Sequence, residues 1–401
     1  MKYAVLVGDG MADRPLESLG GRTPLQVART PWLDKMAREG VLGLVRTIPE
    51  GFSPGSDVAN LVILGYDPAL HYTGRGPLEA ASMGVELGPD DVAFRCNLVH
   101  LSLEEKSPKM VDFTAGHVRT QEARSIISTL QRELGGEEIQ FHPGVSYRHL
   151  MVWKGGPHTM RTTAPHDISG QEVAPHLPRG EGAERLIHWI CLSQELLGQD
   201  SLKGLISPEN EYPPNSIWPW GQGLAPTLEP IAGRLGLKGT MITAVDLLKG
   251  LGRYAGFSVL DVPGATGYFD TDYGAKGRYA LRALEEGAEL VFVHVEAPDE
   301  AGHTGSVEEK IRAIERFDEE VVGRVLQGIK RWERWAVLAL PDHATPLSLR
   351  THSSEPVPFA TLSFRKEGMG GAGFHEAEAR RICSSPLDGR EILERFVRGS
   401  W

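Results

Sequence analysis

Residues 289–303 read ELVFVHVEAPDEAGH. The run Leu290, Val291, Phe292, Val293 and Val295 is almost continuously apolar and rich in β-branched and aromatic side chains, the pattern of a strand covered on both faces. Pro298 stops that strand because it lacks the ladder N–H. Asp299 and His303 follow four residues apart, a spacing that puts both side chains on one face of a helical turn. A carboxylate and an imidazole at the carboxyl end of a parallel strand can hold a metal ion. A capped helix start with a surface histidine would explain the same residues more simply.

Two other apolar runs end in the same way. Lys2–Val7 leads into Gly8-Asp9-Gly10, where the glycines allow a sharp turn that exposes Asp9. Trp335–Leu340 leads into Pro341-Asp342-His343, and His352 lies a short loop further on. Strands alternate with helices at both ends of the chain: a helix over 31–39 with Thr30 as its N-cap, a strand over 41–47, a strand over 240–244, a helix over 277–286, a long helix over 307–331 and a last strand over 357–364. The fold class expected is α/β, a doubly wound, mostly parallel sheet with helices on both faces. In such a sheet the carboxyl ends of the strands share one edge, where ligands bind. Asp9, Asp299, Asp342, His303, His343 and His352 would then meet there, and that convergence favours two metal ions.

Electrostatics favours the same arrangement. Unit charges about 4 Å apart interact by roughly 4 kcal/mol at an effective dielectric of 20, and two divalent cations repel about four times as strongly. Three carboxylates and a serine alkoxide would cancel the four positive charges. Imidazole ligands favour Zn²⁺, Mn²⁺ or iron over Ca²⁺ and Mg²⁺. Ser56 opens a short helix after the loop GFSPGSD, where it serves equally as an N-cap or as a nucleophile meeting phosphate at a helix N-terminus. Metal coordination would activate its hydroxyl without a Ser-His-Asp triad. The sequence contains no GxxxxGK[ST] loop.

The pattern changes between residues 80 and 236. Strands such as VAFRCNLVHL and HLMVWKG, an amphipathic helix near 120–134 and long Pro/Gly/His-rich connections predict an inserted α+β domain within a core formed by 1–79 and 237–401. Arg95, Asn97, His117, Arg148, His149, Arg161 and His166 fall in the insert, where each has a structural role available and together they could bind an anion with several oxygens. Arg75 lies in a glycine-flanked loop before it. The chain of 401 residues carries a net charge of −11, which argues against nucleic acid as the main partner. The opening MKYAVLVGDG suits a core strand, and no run reaches the roughly 18 apolar residues of a membrane span. Three widely spaced cysteines suggest reduced thiols in the cytoplasm. Oligomeric state leaves no mark in the sequence.

With GDGMADRP, PGSDVANLVILGYDP, YTGRGPLEA, FRCNL, GATGYFDTDY, HVEAPDEAGH and PDHATP in place, the chain resembles cofactor-independent phosphoglycerate mutases of the archaeal type, within the alkaline phosphatase superfamily. The resemblance spans essentially the whole length. It implies one metal, Mn²⁺ or Zn²⁺, on Asp299, His303 and His352, and a second on Asp9, Ser56, Asp342 and His343. It implies that Ser56 takes a phosphoryl group from 3-phosphoglycerate and returns it to the 2-hydroxyl, with Lys276 and Arg75 neutralising the group in transit. His117, Arg95, Arg148 and Arg161 would contact the small phosphorylated substrate from an insert acting as a lid. EGFSPGSDVAN, EAASMGVEL and SYRHLMVWKG also resemble a bacterial branch for which a homoserine kinase role has been proposed, and the metal ligands are common to both. A phosphatase or phosphopentomutase-like enzyme on the same core is a further alternative, and a non-catalytic binding protein a more distant one.

Overall fold

The computed structural model describes residues 1–199, 204–365 and 371–401. It divides into two compact units, Met1–Tyr72 with Thr227–Trp401, and Thr73–Pro226. The strands are β1 (Lys2–Gly8), β2 (Val41–Arg46), β3 (Val92–Leu101), β4 (Met110–Asp112), β5 (Ile139–Val145), β6 (Arg148–Trp153), β7 (Ser216–Gly223), β8 (Gly239–Ile242), β9 (Ser258–Val259), β10 (Leu290–Val295), β11 (Trp335–Leu340), β12 (Val357–Ser363) and β13 (Leu387–Asp388).

The first unit is built on an eight-stranded sheet in the order β13-β2-β12-β11-β1-β10-β8-β9. β1 runs parallel to β10 on one side and to β11 on the other, with Val7 opposite both His294 and Leu340. All six residues of β10 and all six of β11 are buried, as their apolar runs require. Each fully buried Val, Leu or Phe contributes about 1.5–3 kcal/mol over exposure, so these central strands anchor the unit. β12 is antiparallel to β11 and β2, which makes the sheet mixed at that side. The segments that follow β1, β10 and β11 therefore leave one edge of adjacent strands, and the site is assembled there.

The helix expected over 307–331 is interrupted. Residues Val307–Arg316 and Arg324–Ile329 are α-helical, and Phe317–Gly323 between them is π-helical. Within that wider turn the Asp318 carboxylate accepts the N–H groups of Trp32 (3.2 Å) and Leu33 (2.7 Å). Asp318 thus caps the helix Pro31–Glu39, and Thr30, expected in that role, makes no side-chain capping bond. Burial pushes the Asp318 carboxyl up to about 7 in spite of its two donors. Helices Glu376–Ile382 and Gly389–Arg398 close the chain beyond the last expected strand.

The second unit is an antiparallel sheet in the order β4-β3-β6-β5, with β7 on the other side of β3. Helices Thr120–Glu133 and Ala183–Leu197 bury Ile126, Ile127, Leu130, Leu186 and Trp189 against Phe94, Met151 and Trp153. Trp153 and Trp189 meet edge to face at 4.7 Å, a favoured aromatic geometry. Arg75, expected in a loop, is instead the first residue of a helix, Arg75–Ser82. Gly74 before it has φ 141°, and a Cβ there would stand 2.2 Å from the Gln222 carbonyl oxygen, so only glycine fits this junction.

Candidate metal centre

Asp299 and His303 lie one turn apart on the helix Ala297–Thr304, which starts directly after β10. His352 comes from the segment after β11. The three donors converge: His303 Nε2 is 3.1 Å from Asp299 Oδ2 and 2.9 Å from His352 Nε2, which is 3.5 Å from Asp299 Oδ1. Ligand atoms about 2.0–2.2 Å from a tetrahedral ion stand roughly 3.3–3.5 Å apart, so the cluster is the size of a first coordination sphere. His303 Nδ1 faces the Arg350 carbonyl oxygen at 3.1 Å and His352 Nδ1 that of Pro54 at 3.3 Å. Donation of both Nδ1–H groups to carbonyls leaves two Nε2 lone pairs facing each other, an arrangement that calls for a cation between them. Hydrogen bonding to Asp299 pushes His303 up to about 9, so without a metal a proton takes that place.

The second cluster is deeper. Ser56 is the first residue of the helix Ser56–Ile63, and Gly55 holds the N-cap position with no side-chain cap. The capping role is thus not taken by Ser56. Its Oγ lies 3.1 Å from His343 Nε2 and 3.3–3.4 Å from the two Asp9 carboxylate oxygens. His343 Nε2 is 3.4 Å from Asp9 Oδ1 and 3.7 Å from Asp342 Oδ2. Asp9, Asp342 and His343 are all buried, His343 and Asp342 completely. Asp342 is oriented by the N–H groups of Gly10 (3.1 Å) and His343 (2.9 Å) and by the Asn60 amide (2.9 Å). Burial pushes the Asp9 carboxyl well above its usual range, and repulsion from Asp342 and Asp299 adds to this. Burial also opposes ionisation of Asp342, but His343 and His294 outweigh it and hold that carboxyl low. Carboxylates crowded this closely cannot all ionise without a compensating cation. The donor set, two carboxylates, an imidazole and a hydroxyl, suits a divalent ion.

Several side chains around the donors escaped the sequence reading. Thr345 Oγ1 donates to Asp299 Oδ1 and stands 3.2 Å from His343 Nδ1, linking the two clusters. His294 and Glu296 flank Val295 at the end of β10, both buried. Lys276, expected to meet a phosphoryl group, is fully buried and donates to the His294 carbonyl oxygen (2.9 Å) and to Glu296 Oε2. That ion pair holds Glu296 below the usual carboxylate range, although its burial acts the other way. The available signal was two polar residues interrupting a strand covered on both faces, where every polar group needs a partner.

In the second unit, β3 places Arg95 with its guanidinium 4.7 Å from the Trp220 ring centre, and Arg75 lies 5.8 Å from the same ring. Arg95 Nε pairs with Glu79 Oε1 at 2.8 Å. Burial lowers the Arg95 pKa; Arg75 and Arg148 add like-charge repulsion, and Glu79 opposes it. Arg148 and His117 both lie against Tyr147, at 5.8 and 6.0 Å, and His166 meets Trp220 edge-on at 5.2 Å. Arg75, Arg95, Arg148 and His117 thus gather around two aromatic rings. Arg161 is exposed, and its main chain pairs with that of Arg179. No helix of the described residues is long and apolar enough to cross a membrane.

Fold and donors define an α/β protein with a carboxylate–imidazole centre at the carboxyl edge of its sheet. Residues 37–202 match the family model described as 2,3-bisphosphoglycerate-independent phosphoglycerate mutase. A probable enzyme of that name from Geobacter sulfurreducens is 52% identical over 398 residues, covering 99% of this chain and all of that one. The enzyme from Methanothrix thermoacetophila is 53% identical over 400 residues, covering both chains fully. Among solved structures, a Pyrococcus horikoshii protein superposes with a TM-score of 0.83 at 28% identity, over 99% of this chain and 96% of that one. The cofactor-independent phosphoglycerate mutase of Thermoplasma acidophilum shares the fold, with a TM-score of 0.68 at 24% identity over both full chains. The chain belongs to the 2,3-bisphosphoglycerate-independent phosphoglycerate mutase family of enzymes.

Proposed function

We propose that the protein interconverts 3-phosphoglycerate and 2-phosphoglycerate through a phosphorylated Ser56, in the cytoplasm and without bisphosphoglycerate. The observation that carries this reading is the position of Ser56 Oγ, among the Asp9 and His343 donors and free of a capping role. Asp299, His303 and His352 hold one divalent cation; Asp9, Asp342, His343 and Ser56 hold the other, with Mn²⁺ or Zn²⁺ favoured by the imidazoles. Such ions supply Lewis acidity, which lowers the pKa of a bound hydroxyl and offsets charge on phosphoryl oxygens.

Ser56 Oγ attacks phosphorus in line; the P–O3 bond breaks, and the serine proton ends on the departing glycerate oxygen. The glycerate 2-hydroxyl then attacks phosphoserine, the Oγ–P bond breaks, and a proton returns to Ser56. Asn60, Gly10 and Thr345 keep the carboxylates oriented throughout. The inserted unit is the substrate-binding domain of this reading: Arg95, Arg75, Arg148 and His117 recognise the carboxylate and phosphate of the substrate by charge-assisted hydrogen bonds.

Purified protein with Mn²⁺ and 3-phosphoglycerate should form 2-phosphoglycerate with no bisphosphoglycerate added, and acid quenching should trap phosphate on Ser56. Release of inorganic phosphate alone would identify a phosphatase instead, and ATP-dependent phosphorylation of homoserine a kinase.

A further inference from the structure

His294 is completely buried near the end of the central strand β10, and its Nε2 has no hydrogen-bond partner of good geometry. That nitrogen points between two acids assigned above to the deeper ion, 3.4 Å from Asp9 Oδ2 and 3.6 Å from Asp342 Oδ2. Its other nitrogen, Nδ1, faces Glu296 Oε1 at 3.4 Å. Glu296 is itself fixed: Thr243 Oγ1 (3.0 Å) and the Ala244 N–H (2.8 Å) donate to Oε1, and Lys276 pairs with Oε2. An unpaired imidazole nitrogen in a dry core is costly, and its retention there calls for a compensating interaction.

We propose that His294 is a positioning residue for the deeper ion: its imidazole steers the Asp9 and Asp342 carboxylates into their coordinating orientation, and Glu296, anchored by Lys276, aims the ring. The chain of contacts Lys276–Glu296–His294–Asp9/Asp342 runs from the helix Tyr273–Glu285 through β10 to the loops after β1 and β11. Outer partners of this kind set ligand orientation, and their loss costs about 10–100-fold in metal affinity. The shallower triad of Asp299, His303 and His352 has its own anchors in the Arg350 and Pro54 carbonyls, and none of its members is among the contacts of the His294 ring. The effect should therefore be confined to one of the two ions. This inference rests on the metal-binding part of the proposed function and not on the choice of substrate.

The test is a Co²⁺ titration of the metal-free, full-length protein, followed by calorimetry and by visible absorption. Two binding steps are expected in the wild type. His294→Ala should weaken one step about 10–100-fold and leave the other unchanged, and Glu296→Gln should weaken the same step by less. His303→Ala identifies the shallower step by removing the complementary one. Equal weakening of both steps, or unchanged affinities in His294→Ala, would overturn the proposal by reducing His294 to a packing role. Should His294→Ala fail to fold, the Glu296→Gln titration decides in its place: two unchanged steps overturn the proposal. A wild type that takes up no Co²⁺ overturns the metal reading itself, and is thereby distinguished from failure of this inference alone.

Discussion

The two units gather charge of opposite sign. In the first, Asp9, Asp299, Asp342 and Glu296 are buried with Lys276 and three imidazoles, His294, His343 and the less deeply set His352. In the second, Arg95 is nearly buried beside Arg75 and Arg148, with Glu79 as the acid paired to it. A surplus of buried carboxylate attracts a cation, and a surplus of guanidinium attracts an anion. On the proposed function, the first region would take metal and the second the carboxylate and phosphate of a small acid. The contrast assigns, within that proposal, the chemistry to the sheet edge and recognition to the insert.

The most severe way to break this division is Ser56→Ala. It should lower kcat about 10⁴-fold or more, by analogy with the loss of other enzymic nucleophiles, while the melting temperature and cation binding by Asp299, His303 and His352 persist. Substantial residual turnover in a coupled enolase assay would remove Ser56 from its role. Chelation by EDTA followed by dialysis should abolish turnover almost as completely, and Mn²⁺ should restore it; activity that survives a metal-free state verified by atomic emission would break the cationic half of the comparison. In the second unit, Arg148→Ala should raise KM about tenfold with kcat changed less, because an exposed guanidinium contributes to binding more than to the chemical step. A kcat loss with unchanged KM would move this residue to the other side of the division.

The smallest effect concerns how each unit treats a buried histidine. His294 has carboxylates on both sides, whereas His149, in the second unit, accepts the Gly144 N–H at 3.0 Å and is otherwise met by the Ser146 backbone. Burial lowers His149 to about 3. Its folded pKa lies below the unfolded value near 6.5, so the unfolded chain binds the extra proton between those limits, and stability falls as the pH drops through that window. At pH 5 the loss from this residue is about 2 kcal/mol. A His149→Gln variant should lose less stability than the wild type between pH 7 and 5 in urea denaturation. Parallel losses in the two proteins would show that His149 is not the titrating group.

Much of this organisation was legible because it rests on patterns short in sequence. The apolar runs of β1, β10 and β11 mark the sheet centre, and the acids beyond them mark its edge. The four-residue step from Asp299 to His303 survives as one helical turn. What stayed hidden depends on partners remote in sequence. Thr30 looked like a cap, but the carboxylate that does the work comes from Asp318, 286 residues beyond Trp32. The pairing of Lys276 with Glu296, 20 residues further on, was not visible in the sequence. His294 and Glu296 passed as members of a strand, since nothing local tells a buried polar side chain with partners from one without.

The central strand pairs with segments that emerge from the ribosome hundreds of residues after it. Register matches Val5 to Phe292 and to Leu338, so Asp9 must wait for most of the polypeptide before Asp342 and His343 exist to join it. Domains form as units during translation, and a coordination sphere drawn from segments this far apart in sequence could not be populated by a product that lacks the later one. On the proposed reading, cation uptake would follow synthesis of residues 342–352: a fragment stopped short of residue 342 would carry Ser56 but lack Asp342 and His343, the donors placed beside it.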